Sequence, residues 1–212
     1  MPLFWKKQEE LFKITIWKAE EDVNELLAQC VLSDAERQQI DSFQSNYRKK
    51  EWLCTRIMLQ QADMNLVSNT AIIYDDFGKP HLQNSSLKIS VSHSKEFVAL
   101  MIAETSHAGL DIEKLHPKIE RTAQKFLSET EKERIPPANH LQYYHTLWGA
   151  KEVLYKIYGK GGLFFKEHLL TEPFTLQQKG ILQAGIRKDD FHQLFNIHYE
   201  FVSDFVLTYC YD

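Results

Sequence analysis

Cysteine is scarce in this chain. Cys30, Cys54 and Cys210 are the only three among 212 residues, and they stand too far apart for the short spacings of a metal site or a redox pair. They read as reduced thiols, which points to the cytoplasm. A basic excess is also missing: Lys and Arg number 25 against 29 Asp and Glu, a formal net charge of −4. A general nucleic-acid binder needs surplus cations to displace counterions from phosphates, so that class is set aside. No apolar run approaches the ~20 residues that span a bilayer, and Met1 to Glu10 carries charges where a signal peptide needs its apolar core. No membrane association is expected. Gly159-Lys160-Gly161-Gly162 lacks the Walker spacing, and no Ser-His-Asp order or nucleophile elbow accompanies the histidines. What remains is an ordinary globular composition, 43% apolar and 25% charged. The length suits one large domain or two small ones of about 100 residues each.

Local patterning supplies the elements. Lys13 to Trp17 alternates and is β-rich, a first strand. A short helix is expected over Glu21 to Ala28. Ser33 and Glu36 form a capping box that opens a helix to about Ser45. A longer helix is expected from about Tyr47 to Leu66, with Arg48, Trp52 and Arg56 on one face. Ala71 to Tyr74, Leu87 to Val91 and Phe97 to Ile102 read as strands, the last two as a hairpin with His93 near its bend. Glu104-Thr105-Ser106 is a polar break between two halves, residues 1–104 and 105–212. Beyond it, a helix starts at His116-Pro117 and runs to about Leu127, carrying Lys118, Arg121 and Lys125 on one face. Ser128 and Glu131 form another capping box for a short helix that Pro136-Pro137 stops. The strongest helix signal runs from His140 to Tyr158, closed by Gly159 as a left-handed cap. Strands are expected at Phe174 to Leu176, Ile181 to Ala184, Phe195 to Phe201 and Phe205 to Cys210. There is no close internal repeat, but the order of elements permits two related subdomains.

The chemistry concentrates in Gly109-Leu110-Asp111-Ile112-Glu113. In an extended segment, residues two apart share a face, so Asp111 and Glu113 project together while Leu110 and Ile112 enter a core. Two like charges so close are unfavourable unless a cation lies between them. A hard divalent ion such as Mg2+ takes oxygen ligands of this kind, often together with substrate phosphates; a solvated strand edge is the bland alternative. On the long second-half helix, Trp148, Lys151, Glu152, Tyr155 and Lys156 fall within an arc of about 140° at roughly 100° per residue. That face is either surface or the wall of a site. Lys79 sits in the turn Phe77-Gly78-Lys79-Pro80, which holds its ammonium in a defined place. Ser90, Ser92 and Ser94 flank His93 and could orient its ring or bind phosphate oxygens. Arg48 and Arg56 are either solvated or forks for a phosphate.

Taken in order, Phe77-Gly78-Lys79-Pro80, Ser90-Val91-Ser92-His93-Ser94, Gly109-Leu110-Asp111-Ile112-Glu113 and Trp148-Gly149-Ala150-Lys151-Glu152-Val153-Leu154-Tyr155-Lys156 resemble the 4′-phosphopantetheinyl transferases of the surfactin type. The resemblance covers roughly residues 40 to 165. It departs from the family's habit at Ser90, often Asn there, and at Val153, often Ala or Ser; residues 166 to 212 carry no recognised motif. The resemblance implies an α+β fold of two similar, pseudo-twofold related halves in a monomer, each a small antiparallel sheet with packed helices. It also implies transfer of the phosphopantetheine arm of coenzyme A to a serine of an apo acyl or peptidyl carrier protein, releasing adenosine 3′,5′-bisphosphate. By the same resemblance Asp111, Glu113 and Glu152 hold Mg2+ or Mn2+, and Glu152, Asp111 and Lys156 are catalytic. Arg48, Arg56, Lys79, Pro80, Ser92, His93, Lys151 and Lys156 then bind coenzyme A. Apart from the resemblance, the stripe Lys118, Arg121 and Lys125 is either an ordinary solvated face or a docking face for an acidic carrier helix. Two other readings stand beside this one: a non-catalytic coenzyme A or carrier-binding module, and a different metal-dependent phosphoryl enzyme.

Overall fold

A computed structural model describes residues 3–62, 64 and 70–212. It is an α+β fold built on two larger antiparallel sheets. The first sheet has the order β1-β2-β6-β5, from Leu3–Gln8, Phe12–Lys18, Phe97–Ala103 and Lys88–Ser94 respectively. The second has the order β7-β11-β10-β9-β8, from Ala108–Lys114, Phe205–Tyr211, Phe191–Val202, Lys179–Lys188 and Leu169–Thr171. A two-stranded ribbon, β3 (Ile72–Tyr74) with β4 (Pro80–Leu82), carries the turn that contains Lys79. Among the described residues no helix is long and apolar enough to cross a membrane.

The helices follow their local signals closely. Both expected capping boxes form: Ser33 opens α2 (Asp34–Ser42) and Ser128 opens α5 (Glu129–Glu133). Asp22 makes a third at α1 (Val23–Gln29), where its side chain accepts from the amides of Asn24 and Glu25. Helix α3 spans Asn46–Gln60 and is capped at Gln61, short of the expected Leu66: Gln61, Ala62 and Met64 are not helical, and the rest of the expected continuation lies outside the described residues. Gly159, at φ 65°, closes α6 (His140–Tyr158) in the left-handed region that a residue without Cβ adopts freely. Helix α4 (Ile119–Phe126) buries Ala123 and Phe126 and leaves Lys118, Arg121 and Lys125 in solvent.

Besides a small cluster of Ala123, Phe126, Leu127 and Leu147 under α4, three larger cores among the described residues hold the layers together. One joins α3, with Trp52, Leu53 and Ile57, to the first sheet through Trp17, Val98 and Leu100. Another joins α6, with Val153, Leu154 and Ile157, to the second sheet through Leu182, Ile197 and Val206. The third lies between the sheets, where Phe12, Ile14, Ile16 and Met101 meet Leu110, Ile112, Phe205 and Leu207. The alternation of β7 thus sends Leu110 and Ile112 into the interlayer core and turns its other face toward α6. Gly109 lies on that other face, and a Cβ there would sit 2.9 Å from both the carbonyl oxygen and Cγ1 of Val153. Its bareness lets strand and helix touch, which brings the carboxylates that follow it close to α6.

One strand expectation fails and three further strands form. Phe174 to Leu176 is not a strand but an irregular stretch, in which Leu176 donates its amide to the Tyr143 hydroxyl and Tyr143 packs on Phe174. Leu169–Thr171 pairs with β9 instead. The pattern Leu3-Phe4-Trp5-Lys6-Lys7-Gln8 lacks clean alternation and predicts no strand; pairing to β2 makes it β1. At Pro80–Leu82 proline reads as a breaker, but it stands first in a short edge strand where its missing amide is harmless.

Candidate active site

The face of β7 turned toward α6 gathers the acids. Asp111 is buried, and its Oδ1 accepts a hydrogen bond from the Lys156 ammonium at 2.8 Å and another from the Ser92 hydroxyl at 2.7 Å. Lys156 donates a second bond, to the Leu110 carbonyl at 2.8 Å, which ties α6 to both the backbone and the side chains of β7. Glu113 lies two residues along, and its Oε1 accepts from the Trp148 indole at 2.9 Å. Glu152 sits one turn before Lys156 on α6 and is close enough to Asp111 to feel its charge. The sequence-expected trio of Asp111, Glu113 and Glu152 therefore shares one electrostatic site with Lys156.

That site carries more negative charge than its cations neutralise. Burial pushes the Glu113 carboxyl up to about 7, and repulsion from Asp111 and Glu152 adds to the effect against the Trp148 bond and Lys156. Glu152 also reaches about 7, through burial first and the Asp111 charge second, with Lys156 opposing. Such displaced carboxyls are characteristic of functional clefts. Asp111 Oδ2 is buried and has no hydrogen-bond partner, which is unfavourable for a carboxylate oxygen. Three carboxylates with one orphaned oxygen match the hard donors that Mg2+ takes. The side chains do not close into a ready cage: among the described residues no group of three or more His, Cys, Asp or Glu is arranged to hold a metal ion. In donor type and charge the set nevertheless fits a divalent cation.

Two depressions adjoin the site, one at Glu113 and one at Lys156. A large one of about 750 Å³ has Glu113 in its wall and an apolar floor of Phe126, Trp148 and Phe165. Lys114, Lys118, Lys125 and Lys166 also line it. A smaller one of about 200 Å³ lies where Lys79, Pro80 and Ser90 meet Tyr155 and Lys156. Lys79 crosses to α6 and donates to the Ile157 carbonyl at 2.8 Å, near the negative end of that helix. Burial pulls its ammonium below the ordinary lysine value.

Other sequence-expected residues are placed elsewhere. Arg56 is only 2% exposed; it pairs with Glu36 at 3.0 Å and lies over the Trp52 ring. Arg48 is exposed and reaches Glu51 at 3.5 Å, while His93 Nε2 meets the other Glu51 oxygen at 3.1 Å. Arg48 and His93 thus share one acidic partner, away from the trio's hydrogen bonds. Lys151 has 0% exposure. Its ammonium donates to Glu131 at 2.8 Å, the Phe126 carbonyl at 2.6 Å and the Phe165 carbonyl at 3.2 Å. It stands at the edge of the arc read from the sequence, and there it turns inward beneath α5. Ser92 faces Asp111 and β7. Sequence reasoning missed Glu131, read only as a capping residue, and the aromatic floor supplied by Phe165. The Phe164-Phe165-Lys166 run after the glycine turn was the available signal.

Residues 108–210, which include β7, α6 and the second sheet, match the model of the 4′-phosphopantetheinyl transferase superfamily. The chain is 27% identical over 122 residues to a 4′-phosphopantetheinyl transferase of Bacillus subtilis, covering 56% of this chain and 52% of that protein. It is 26% identical over 115 residues to the 4′-phosphopantetheinyl transferase AcpT of Escherichia coli strain K12, covering 51% and 57%. The corresponding AcpT of Salmonella typhi gives the same identity, covering 51% and 58%. The chain spans about half the length of the curated relatives it matches.

Proposed function

We propose that this protein transfers the 4′-phosphopantetheine arm of coenzyme A to a serine of an apo carrier protein, releasing adenosine 3′,5′-bisphosphate. It acts in this reading as a surfactin-type, single-chain enzyme of two halves, residues 1–104 and 105–212. The observation that carries the proposal is the meeting of Asp111, Glu113 and Glu152 with Lys156 on facing surfaces of β7 and α6. A plain binding module would have no use for three mutually repelling carboxylates.

A divalent cation, Mg2+ or Mn2+, held by Asp111, Glu113 and Glu152 would neutralise charge on the pyrophosphate as phosphorus is attacked. The rest is work for the chain's own groups. An ammonium has three N–H donors. Lys156 directs one to the Leu110 carbonyl and one to Asp111, which leaves the third for a phosphate oxygen. The serine oxygen of the carrier bonds to the pantetheine-side phosphorus while the P–O bond of the pyrophosphate breaks, and the electron pair departs with adenosine 3′,5′-bisphosphate. The serine proton needs an acceptor on this face of the cleft, and Glu152 supplies a carboxylate there. Lys79 and Pro80 bind coenzyme A from the smaller depression, and Arg48 and His93 meet its phosphates from the first half. Arg56, Ser92 and Lys151 drop out of the coenzyme A contacts, because all three are buried in the protein.

The carrier approaches over α4 in this reading. Lys118 and Lys125 lie on its exposed side and also line the large depression. Incubation with Mg2+, coenzyme A and apo carriers, acyl and peptidyl, from the same genome should add one phosphopantetheine arm to a carrier by mass spectrometry. No mass gain on any of them overturns the proposal. Reversing Lys118, Arg121 and Lys125 to glutamate should raise the KM for the carrier about tenfold while leaving that for coenzyme A within about twofold, since rim charges act on encounter with the acidic partner. An unchanged carrier KM removes the docking face.

A further inference from the structure

The outer edge of β7 poses a problem that the serines of β5 solve. Strand β7 ends its sheet, so one row of its amides faces away from β11 with no strand to accept them. Strand β5 lies alongside, and it offers side chains in place of a ladder. Ser90 Oγ accepts the Leu110 amide at 2.9 Å, Ser92 Oγ the Ile112 amide at 3.3 Å, and Ser94 Oγ the Lys114 amide at 3.1 Å. The pairing advances by two residues on both strands, so the three serines join the two sheets at a fixed register. Only the middle one does something more. With its lone pair given to the Ile112 amide, the Ser92 hydroxyl directs its single proton to Asp111 Oδ1 at 2.7 Å. Lys156 donates to the same oxygen, while Oδ2 is buried and unpartnered.

We propose that Ser92 is a positioning residue that commits Asp111 Oδ1 to the protein and so presents Oδ2 to a divalent cation. The inference rests on the metal reading of the acid trio. Its logic is the orientation of a ligating carboxylate by a hydrogen bond to the oxygen that does not ligate, and the loss of such an outer partner typically weakens metal affinity by about 10–100-fold. Trp148 does the same to Glu113, donating to Oε1 and leaving Oε2 free of it. Lys156 reaches the same oxygen from another element, α6, and divides its donors between Asp111 and the Leu110 carbonyl. Ser92 is buried on the neighbouring strand, 2.7 Å away.

The comparison of Ser92→Ala with Ser90→Ala tests this. Both remove one bond from a β5 serine to a β7 amide, but only Ser92 touches a carboxylate. Mn2+ binding is measured by the loss of the free-ion signal in electron paramagnetic resonance, without coenzyme A or carrier, and thermal unfolding is followed alongside. Ser92→Ala should weaken Mn2+ binding about tenfold or more, whereas Ser90→Ala should bind within about twofold of the parent at a similar loss of stability. Turnover of Ser92→Ala should recover at high Mg2+, so that its defect appears in the metal requirement before it appears in KM for coenzyme A. Unchanged Mn2+ affinity in Ser92→Ala overturns the positioning role and leaves the metal reading standing. Equal weakening in both variants overturns it in favour of a general role in joining the sheets. Absence of Mn2+ binding by the parent protein overturns both the inference and the metal reading beneath it.

Discussion

Glu152→Gln should give a protein that is more stable than the parent at pH 8 and nearly inactive. Glu152 is held at about 7 by burial and by the Asp111 charge, above the ~4.5 expected once the chain unfolds. The ionised form is therefore disfavoured in the fold. The penalty is complete above pH 7, fades as the pH falls between the two values, and vanishes below the unfolded one. Glutamine keeps the shape and removes the charge, so its advantage is largest at pH 8 and lost near pH 4.5. Allowing for partial solvent screening, we expect about 2 kcal/mol at pH 8, or roughly 4–8 °C in Tm for a chain of this size. Transferase activity should fall by about a hundred- to a thousandfold, because the cation that would stabilise charge in the transition state loses one of its ligands. Mg2+ should raise the Tm of the parent and not that of the variant. The outcome that sinks this account is a Gln variant less stable than the parent at pH 8, or one with near-normal turnover. Gain of stability with loss of function marks a site kept strained for its task.

Lys151→Met should act in the opposite way, as a defect of folding. The lysine ammonium is sealed under α5 with three acceptors, one of them the Glu131 carboxylate. Glu131 in turn accepts the Thr171 amide and hydroxyl on one oxygen and the Ser128 amide on the other. Lys151 and Glu131 thus bind α5, α6, β8 and the start of α7 (Phe165–His168) at one point. Methionine fills the stem's volume but leaves a buried carboxylate and two carbonyls without their cation. Breaking one side of a buried pair typically costs about 3–5 kcal/mol, a large share of the ~5–15 kcal/mol that stabilises a domain. A Tm fall of about 6–20 °C is expected. Adding Glu131→Gln should recover part of it, because a neutral amide is less costly to bury and keeps its carbonyl for Thr171. A Lys151→Met protein with unaltered Tm and a raised KM for coenzyme A would instead return this lysine to the substrate contacts.

These two neighbours show where sequence reasoning reaches its limit. Lys151 and Glu152 are adjacent in one helix, both polar, both inside the same arc, and only packing separates their roles. Helix periodicity places a side chain to within an arc of the helix; whether that arc meets solvent, a cleft or a second charged group depends on elements far along the chain. Arg56 illustrates the same limit, sharing a helical face with Arg48 yet sealed against Trp52 and Glu36. So do the serines of β5, whose partners stand twenty residues further on and exist only because β7 ends its sheet.

What the sequence determined by itself is whatever depends on near neighbours. It set the capping boxes of α2 and α5, the Gly159 stop of α6 and the shared face of Asp111 and Glu113. It also set the apolar turn of Leu110 and Ile112 into the core, since each of these follows from hydrogen bonds or periodicity within a few residues. The tertiary structure decided which charges meet. It brought Glu152 and Lys156 to Asp111, gave Lys151 to Glu131, and set Ser92 on the carboxylate oxygen that Lys156 already holds. Coulombic and hydrogen-bonding partners are selected by distance in space, and for buried groups the cost of losing water makes those partners decisive.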